Sequence, residues 1–230
     1  MAVSIKYEGM RDSAGYRVFM HDGPDSFGHE DEPIFPERTS QYAITAEQGT
    51  QVAVVLDGLD DLLFSKIAEL DPLNYRQVCE FIDEYGFLAP PTDGKLDAEV
   101  INQGIRMLRA ALEAASQAAR EPAGKRSWIQ FERETTTLLN KRWSEDAPAR
   151  TTEVRRVPGK DRPPQTFEIA RDLFTFATLQ LSVAIGEGAE VKHCAHCENF
   201  FAVGPGTSRK RDAMYCSDRC RVAKHRAGQE

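Results

Sequence analysis

Four cysteines close to the C-terminus carry the clearest chemistry in this chain. They read Cys194-Ala195-His196-Cys197 and Cys216-Ser217-Asp218-Arg219-Cys220, with eighteen residues between the pairs. Two close pairs of soft thiolate ligands joined by such a loop suit a tetrahedral Zn²⁺ ion. Sulfur then fills every coordination position and leaves none for a catalytic water, so the expected zinc is structural. The 37 residues from Cys194 onward cannot bury enough apolar surface to fold alone, and metal binding supplies the missing free energy. Disulfide or redox chemistry is the competing reading of such pairs. His193, His196 and His225 lie nearby, yet four thiolates need no further ligand; His196, inside the first pair, is placed to donate a hydrogen bond to a thiolate.

The elements around the cysteines follow from their neighbours. Cys194-x₂-Cys197 fits a zinc knuckle, and residues 199–203 read as a strand whose Phe200 and Phe201 make a miniature core. Gly204-Pro205-Gly206-Thr207 is a turn signal, after which Ala213, Met214 and Tyr215 read as a returning strand leading to Cys216. Ser217 or Asp218 then caps a short helix with Cys220 in its first turn. Knuckle, hairpin and helix in that order make a treble-clef-like module.

Charge separates this module from the rest. From residue 191 on, eight Lys/Arg face four Asp/Glu, a surplus of +4; the whole chain is −7, which leaves −11 on residues 1–190. Four thiolates on one divalent ion add −2 and bring the module's surplus to about +2. Arg209, Lys210, Arg211, Arg221, Lys224 and Arg226 are the candidates for contacting phosphates, giving salt-sensitive and largely sequence-independent affinity.

Residues 1–190 read as a mostly helical body with a β-rich start over about 1–56. Ser4-Ile5-Lys6-Tyr7, Tyr16-Arg17-Val18-Phe19 and residues 51–56 have strand composition, separated by a Gly-, Pro- and acid-rich stretch over 21–40. Tyr75, Val78, Cys79 and Ile82 recur at helical spacing with Gly86 placed as the stop, and Cys79 reads as a small core residue. Ile101, Ile105, Leu108, Leu112, Ala115 and Ala119 predict a long amphipathic helix over about 96–119. Trp128, Phe131, Thr135, Leu138 and Arg142 mark a third helix, with Trp143 beside its stripe. Residues 151–162 read as an excursion or short hairpin, and a fourth helix is predicted to open at Pro163-Pro164 and end near Gly186 and Gly188. Its predicted stripe is Ala170, Leu173, Phe174, Ala177, Leu181 and Ala184. The expected fold class is therefore mainly α with a small N-terminal β element: a four-helix body over 1–190, then a Cys₄ module over 191–230.

Several function classes find no support. No run approaches the ~18 apolar residues of a membrane span, and the first twenty residues show no signal-peptide pattern. A cytoplasmic protein is then expected, in which thiols stay reduced and clustered cysteines favour metal over disulfides. There is no P-loop, G-x-S-x-G elbow or dinucleotide fingerprint, and no enzyme is expected. His21-Asp22 and His29-Glu30-Asp31 could gather a hydrolytic metal, but their spacing fits no helical metal motif and reads as a solvated loop.

Residues 171–226 resemble the C-terminal part of bacterial CGNR-type zinc-finger proteins. That family ends in W/Y-C-S-x-x-C-G-N-R-x-K-x-x-x-R; this chain has Tyr215-Cys216-Ser217-Asp218-Arg219-Cys220-Arg221-Val222-Ala223-Lys224-His225-Arg226. The Tyr-Cys-Ser start, the second cysteine and the basic helix are similar, while Arg221-Val222 stand where the family has Gly-Asn. The resemblance implies a transcriptional regulator whose zinc module binds DNA. A zinc-stabilised module for a protein partner or a second copy of the chain is the alternative.

Overall fold

The computed structural model describes the backbone of residues 4–12, 16–20, 42–46, 51–57, 62–90, 95–120, 126–141, 150–155, 165–170 and 172–227; side chains are described for 62–90, 96–120, 126–141, 170 and 172–227. Its elements in order are β1 (Ser4–Asp12), β2 (Tyr16–Met20), β3 (Tyr42–Ala46), β4 (Gln51–Asp57), α1 (Leu63–Glu69) and α2 (Tyr75–Tyr85). They continue with β5 (Lys95–Asp97), α3 (Ala98–Ala118), α4 (Arg126–Asn140), β6 (Arg150–Arg155), β7 (Gln165–Ala170), α5 (Leu173–Gly186), β8 (Glu190–His193), β9 (Phe200–Val203) and α6 (Asp218–Ala227). Helix is the predominant element. A four-stranded sheet runs β4-β1-β7-β6, with β1 parallel to β7 and the other neighbours antiparallel. β2, β3 and β5 form an antiparallel three-stranded sheet, and β8 pairs with β9 alone.

Three expectations need correction. The fourth helix does not cover residues 165–170, which are strand β7, and α5 begins at Leu173; Pro163 and Pro164 lie outside the described residues. Asp172 explains the later start: its Oδ1 accepts from the Thr175 N–H at 2.7 Å, an N-cap that the sequence stripe through Ala170 overlooked. The long helix starts at Ala98, since Leu96 belongs to β5 and pairs with Ile44. Among the described residues five helices rather than four precede residue 190, because Leu63–Glu69 forms a short helix of its own. The His21 and His29 clusters, Arg142 and Trp143 lie outside the described residues.

α5 is the axis of the core. Every residue from Leu173 to Leu181 is buried, including Thr175, Thr178 and Gln180. Their polar atoms are satisfied: the Thr178 hydroxyl donates to the Phe174 carbonyl at 2.7 Å, and Gln180 Oε1 accepts from the Leu63 N–H at 3.0 Å. That second bond supplies α1 with an N-terminal partner, which its own capping residue, Leu62, lacks. α3 packs against α4 and α5. Gly104 permits the close approach of α3 and α5, since a Cβ there would lie 2.3 Å from the Phe174 ring. α2 is bounded by local chemistry: Asn74 Oδ1 accepts from the Gln77 N–H at 3.2 Å, and Gly86 ends the helix at φ 92°. Cys79 is half-buried against the main core, and burial, helped by Asp83 and Glu80, raises its pKa to about 11. It is an inert packing thiol.

Two outcomes test this packing. Gly104→Ala should destabilise the protein by about 1–3 kcal/mol through overpacking, whereas Gly186→Ala, with nothing within 4 Å of the new methyl, should be neutral or mildly stabilising; paired urea melts decide. Burial raises the Asp172 carboxyl to about 7, against the opposing hydrogen bonds from Thr175 and Phe174. A raised folded-state value favours the protonated form. Its stabilising contribution is therefore complete below the ordinary carboxylate range near 4 and lost as pH rises through about 7. Asp172→Asn should flatten the decline in denaturation midpoint between about pH 4 and 7.

Candidate metal centre

The metal-side module is built on a two-stranded sheet with different neighbours on its two faces. Strand side chains alternate, so residues two apart share a face. Val191 and Ala202 belong to the main core with Phe200 packed against it, while Phe201 and Val203 join Cys194 in a second small core. β8 lies on α3 and β9 on α1. Polar clamps reinforce the docking. His193 Nε2 lies 3.0 Å from Glu113 Oε2 on α3, its Nδ1 lies 2.9 Å from the Glu198 carbonyl oxygen, and its ring packs on Phe200. Glu69, at the end of α1, has its pKa raised by burial despite a hydrogen bond with Asn199.

The knuckle is the turn between β8 and β9. The Cys194 N–H donates to the Asn199 carbonyl at 2.9 Å and the Glu198 N–H to the Cys194 carbonyl at 3.0 Å, closing a tight loop. Glu198 sits at φ 64°, the left-handed conformation that reverses the chain. Cys197 is then carried back toward the second pair. The Ala195 N–H donates to the Met214 carbonyl at 2.9 Å, the Cys216 N–H lies 3.4 Å from Cys194 Sγ, and Ser217 Oγ accepts from the Cys220 N–H at 3.2 Å as α6 begins. The expected returning strand is absent: residues 213–216 form no strand, and the partner of β9 is β8. The physical reason is the docking itself, because Val191 gains a core position by pairing on that side.

The four predicted ligands come together. The sulfurs of Cys194, Cys197, Cys216 and Cys220 all lie within 4.8 Å of one another, with Cys197–Cys216 at 3.6 Å and Cys216–Cys220 at 3.5 Å. A disulfide would need about 2.05 Å, and all four are free thiols. A tetrahedral metal–thiolate centre with bonds of about 2.3 Å has sulfur–sulfur edges of roughly 3.8 Å, close to these separations. The four cysteines could hold one metal ion. The three nearby histidines do not join the group: His193 turns to α3, and the His196 and His225 side chains are exposed.

The local electrostatics divide the thiols. Burial opposes ionisation of Cys194, but N–H groups of Cys197, Cys216 and His196 aim at its sulfur and bring its pKa down to about 6. His196 thus contributes through its backbone, where the sequence had suggested its imidazole. Burial and the neighbouring thiols push Cys216 strongly up and Cys197 up as well. So many sulfurs cannot all ionise at such separations without a cation among them.

The six candidate phosphate contacts separate into two groups. Arg209 faces inward: its guanidinium donates to the Cys216 carbonyl and lies 5.7 Å from the Phe201 ring centroid. Arg211 donates to the Gly188 carbonyl at 3.1 Å and pairs with Glu190 at 3.8 Å. Arg221 is held by Asp218 at 3.1 Å. Lys210, Lys224 and Arg226 are exposed with no partner among the described residues, and so is Arg219. The alternation in Arg209-Lys210-Arg211 was hidden in the sequence, where all three look alike. Compared with protein-family models, curated proteins and solved structures, the chain matches none.

Cys216→Ser should lower metal content well below the one ion per chain expected of the unaltered protein, while most far-UV helical signal remains, because α1–α5 pack independently of the sulfurs. Arg209→Ala should leave the ligands intact yet weaken metal retention against a chelator by about tenfold, through loss of a charge-assisted bond to the Cys216 carbonyl. Equal chelator curves for Arg209→Ala and the unaltered protein would count against this role.

Proposed function

We propose that this is a zinc-stabilised nucleic-acid-binding protein, with structural Zn²⁺ on Cys194, Cys197, Cys216 and Cys220, and that its ligand is duplex DNA. The observation that carries the reading is α6. Among its residues none is buried, yet Arg219, Lys224 and Arg226 project from it with no partner among the described residues, and Lys210 does the same from the neighbouring loop. A helix of ten residues is marginal in isolation, so this one is held by the metal through Cys220 and Cys216 and presents its cations from a fixed frame. Rigidly placed, unpaired cations suit a polyanion. The resemblance of residues 215–226 to the CGNR-type ending supports the same partner and a role in transcriptional regulation, and the order of knuckle and capped helix is compatible with a treble-clef-like module. Four reduced thiols fit a reducing compartment such as the cytoplasm. Among the described residues no helix is long and apolar enough to cross a membrane.

A second reading has its own observation. Met214 and Val222 are 62% and 42% exposed on the same module, and such apolar tips suit a protein partner. Salt separates the two. Duplex affinity of the zinc-loaded protein should fall linearly with the logarithm of salt concentration, and a Lys224→Ala/Arg226→Ala variant should lower that slope by about two. Lys210→Ala should lower it by about one, whereas Arg211→Ala should change it less. Absence of salt-dependent duplex binding by metal-loaded protein would exclude the DNA reading and leave the protein-partner one.

A further inference from the structure

Beside the metal centre lies an open groove of about 660 Å³, bounded by residues 208–215 on one side and the start of α6 on the other. Its lining includes Lys210, Asp212, Met214, Tyr215, Ser217 and Arg221. Both walls are anchored at Cys216 and Cys220, and Tyr215 packs against the small core that contains Cys194 and Phe201. The groove is therefore a surface tied to the cysteine cluster rather than a crease between independent loops.

Its chemistry is mixed in an informative way. Met214 offers an exposed thioether and Tyr215 a half-buried phenol, which together give an apolar contact surface. Lys210 brings an ammonium with no partner among the described residues, whereas Arg221 is already neutralised by Asp218 at 3.1 Å. Asp212, also in the lining, adds a hydrogen-bond acceptor. The lining also includes Arg209 and Asp218, so three cations face two carboxylates and an anion is tolerated, whereas a wholly apolar peptide would leave Lys210 and Asp212 unmatched. A flat heterocycle with amino groups at its rim and one attached anion satisfies all of them. An unpaired nucleotide has that make-up, and a base inside a duplex stack cannot reach such a groove.

Building on the nucleic-acid reading, we infer that the groove receives one unpaired nucleotide, its base against Met214 and Tyr215 and its phosphate toward Lys210. α6 holds the phosphates of duplex DNA as in the proposed function, and the groove adds a contact that only an unpaired nucleotide can make, so single-stranded or locally opened DNA is bound more tightly than a closed duplex.

The test uses the full zinc-loaded chain with a mixed-sequence single-stranded oligonucleotide, a blunt duplex of the same sequence, and a polyglutamate peptide, all at one salt concentration. The expected result is tighter binding of the single strand, with Met214→Ala weakening it about tenfold while duplex affinity and metal content stay unchanged. Single-strand and duplex binding both unaltered in Met214→Ala, but both lost in Lys224→Ala/Arg226→Ala, would overturn the groove and leave the nucleic-acid reading standing. Binding of the peptide alone, abolished by Met214→Ala, would overturn both in favour of a protein partner. Binding of none of the three probes by metal-loaded protein would also overturn both.

Discussion

Side chains on a β-strand alternate between two faces, and in the β8–β9 hairpin that alternation joins two otherwise separate parts of the molecule. One face contributes Val191 and Ala202 to the core built around α5; the other contributes Phe201 and Val203 to the small core beside the sulfurs. A shift of one residue in the pairing would exchange the faces and detach both. The clamps Glu113–His193 and Glu69–Asn199 sit at the knuckle end of the same hairpin and oppose such a slip. The position of the metal ligands relative to the helical body thus descends from a four-residue strand pair.

Beyond the hairpin, apolar burial gives way to hydrogen bonding around the four clustered sulfurs. α6 buries none of its residues, and the segment from Gly204 to Cys216 forms no strand. What fixes this part is short-range and polar. The Thr207 hydroxyl donates to the Gly204 carbonyl at 2.8 Å, Arg209 bonds the Cys216 carbonyl, and the backbone N–H groups of the knuckle converge on Cys194. These N–H donors supply positive potential around sulfurs that would otherwise repel one another on ionisation. A cation at the centre completes the same pattern. An ion held by the four cysteines would make metal affinity and local order one free energy in this segment, while the body draws on its own core.

The module's charge is less available than its composition suggests. Arg209, Arg211 and Arg221 are engaged within the protein, and Lys210, Arg219, Lys224 and Arg226 have no partner among the described residues. The two sets do different physical work. The engaged guanidiniums are planar forks that satisfy carbonyls and carboxylates at fixed angles, as arginine does well. Three of the four unpaired cations lie along one short helix, where their spacing rather than their number sets what they can touch.

Much of the ligand set was legible in the sequence because it is local. Cys-x₂-Cys and Cys-x₃-Cys fix each pair's geometry through a single turn, and the eighteen residues between them are ample to close the loop. The α3 stripe from Ile101 to Ala115 was equally legible, since 3.6-residue periodicity is a property of consecutive residues. Local signals failed where partners distant in sequence compete. Residues 165–170 pair with β1 across more than 150 positions, and Gln180 caps α1 from 117 residues away. Which of three adjacent cations turns inward, and which strand β9 accepts, are likewise settled by the lowest-energy packing of the whole chain. The sequence by itself determined that four sulfurs would meet; the tertiary structure alone decided which surface they would carry and which charges on it would be left unpaired. Coordination geometry is set by neighbours in the chain, whereas exposure is set by everything else that folds against it.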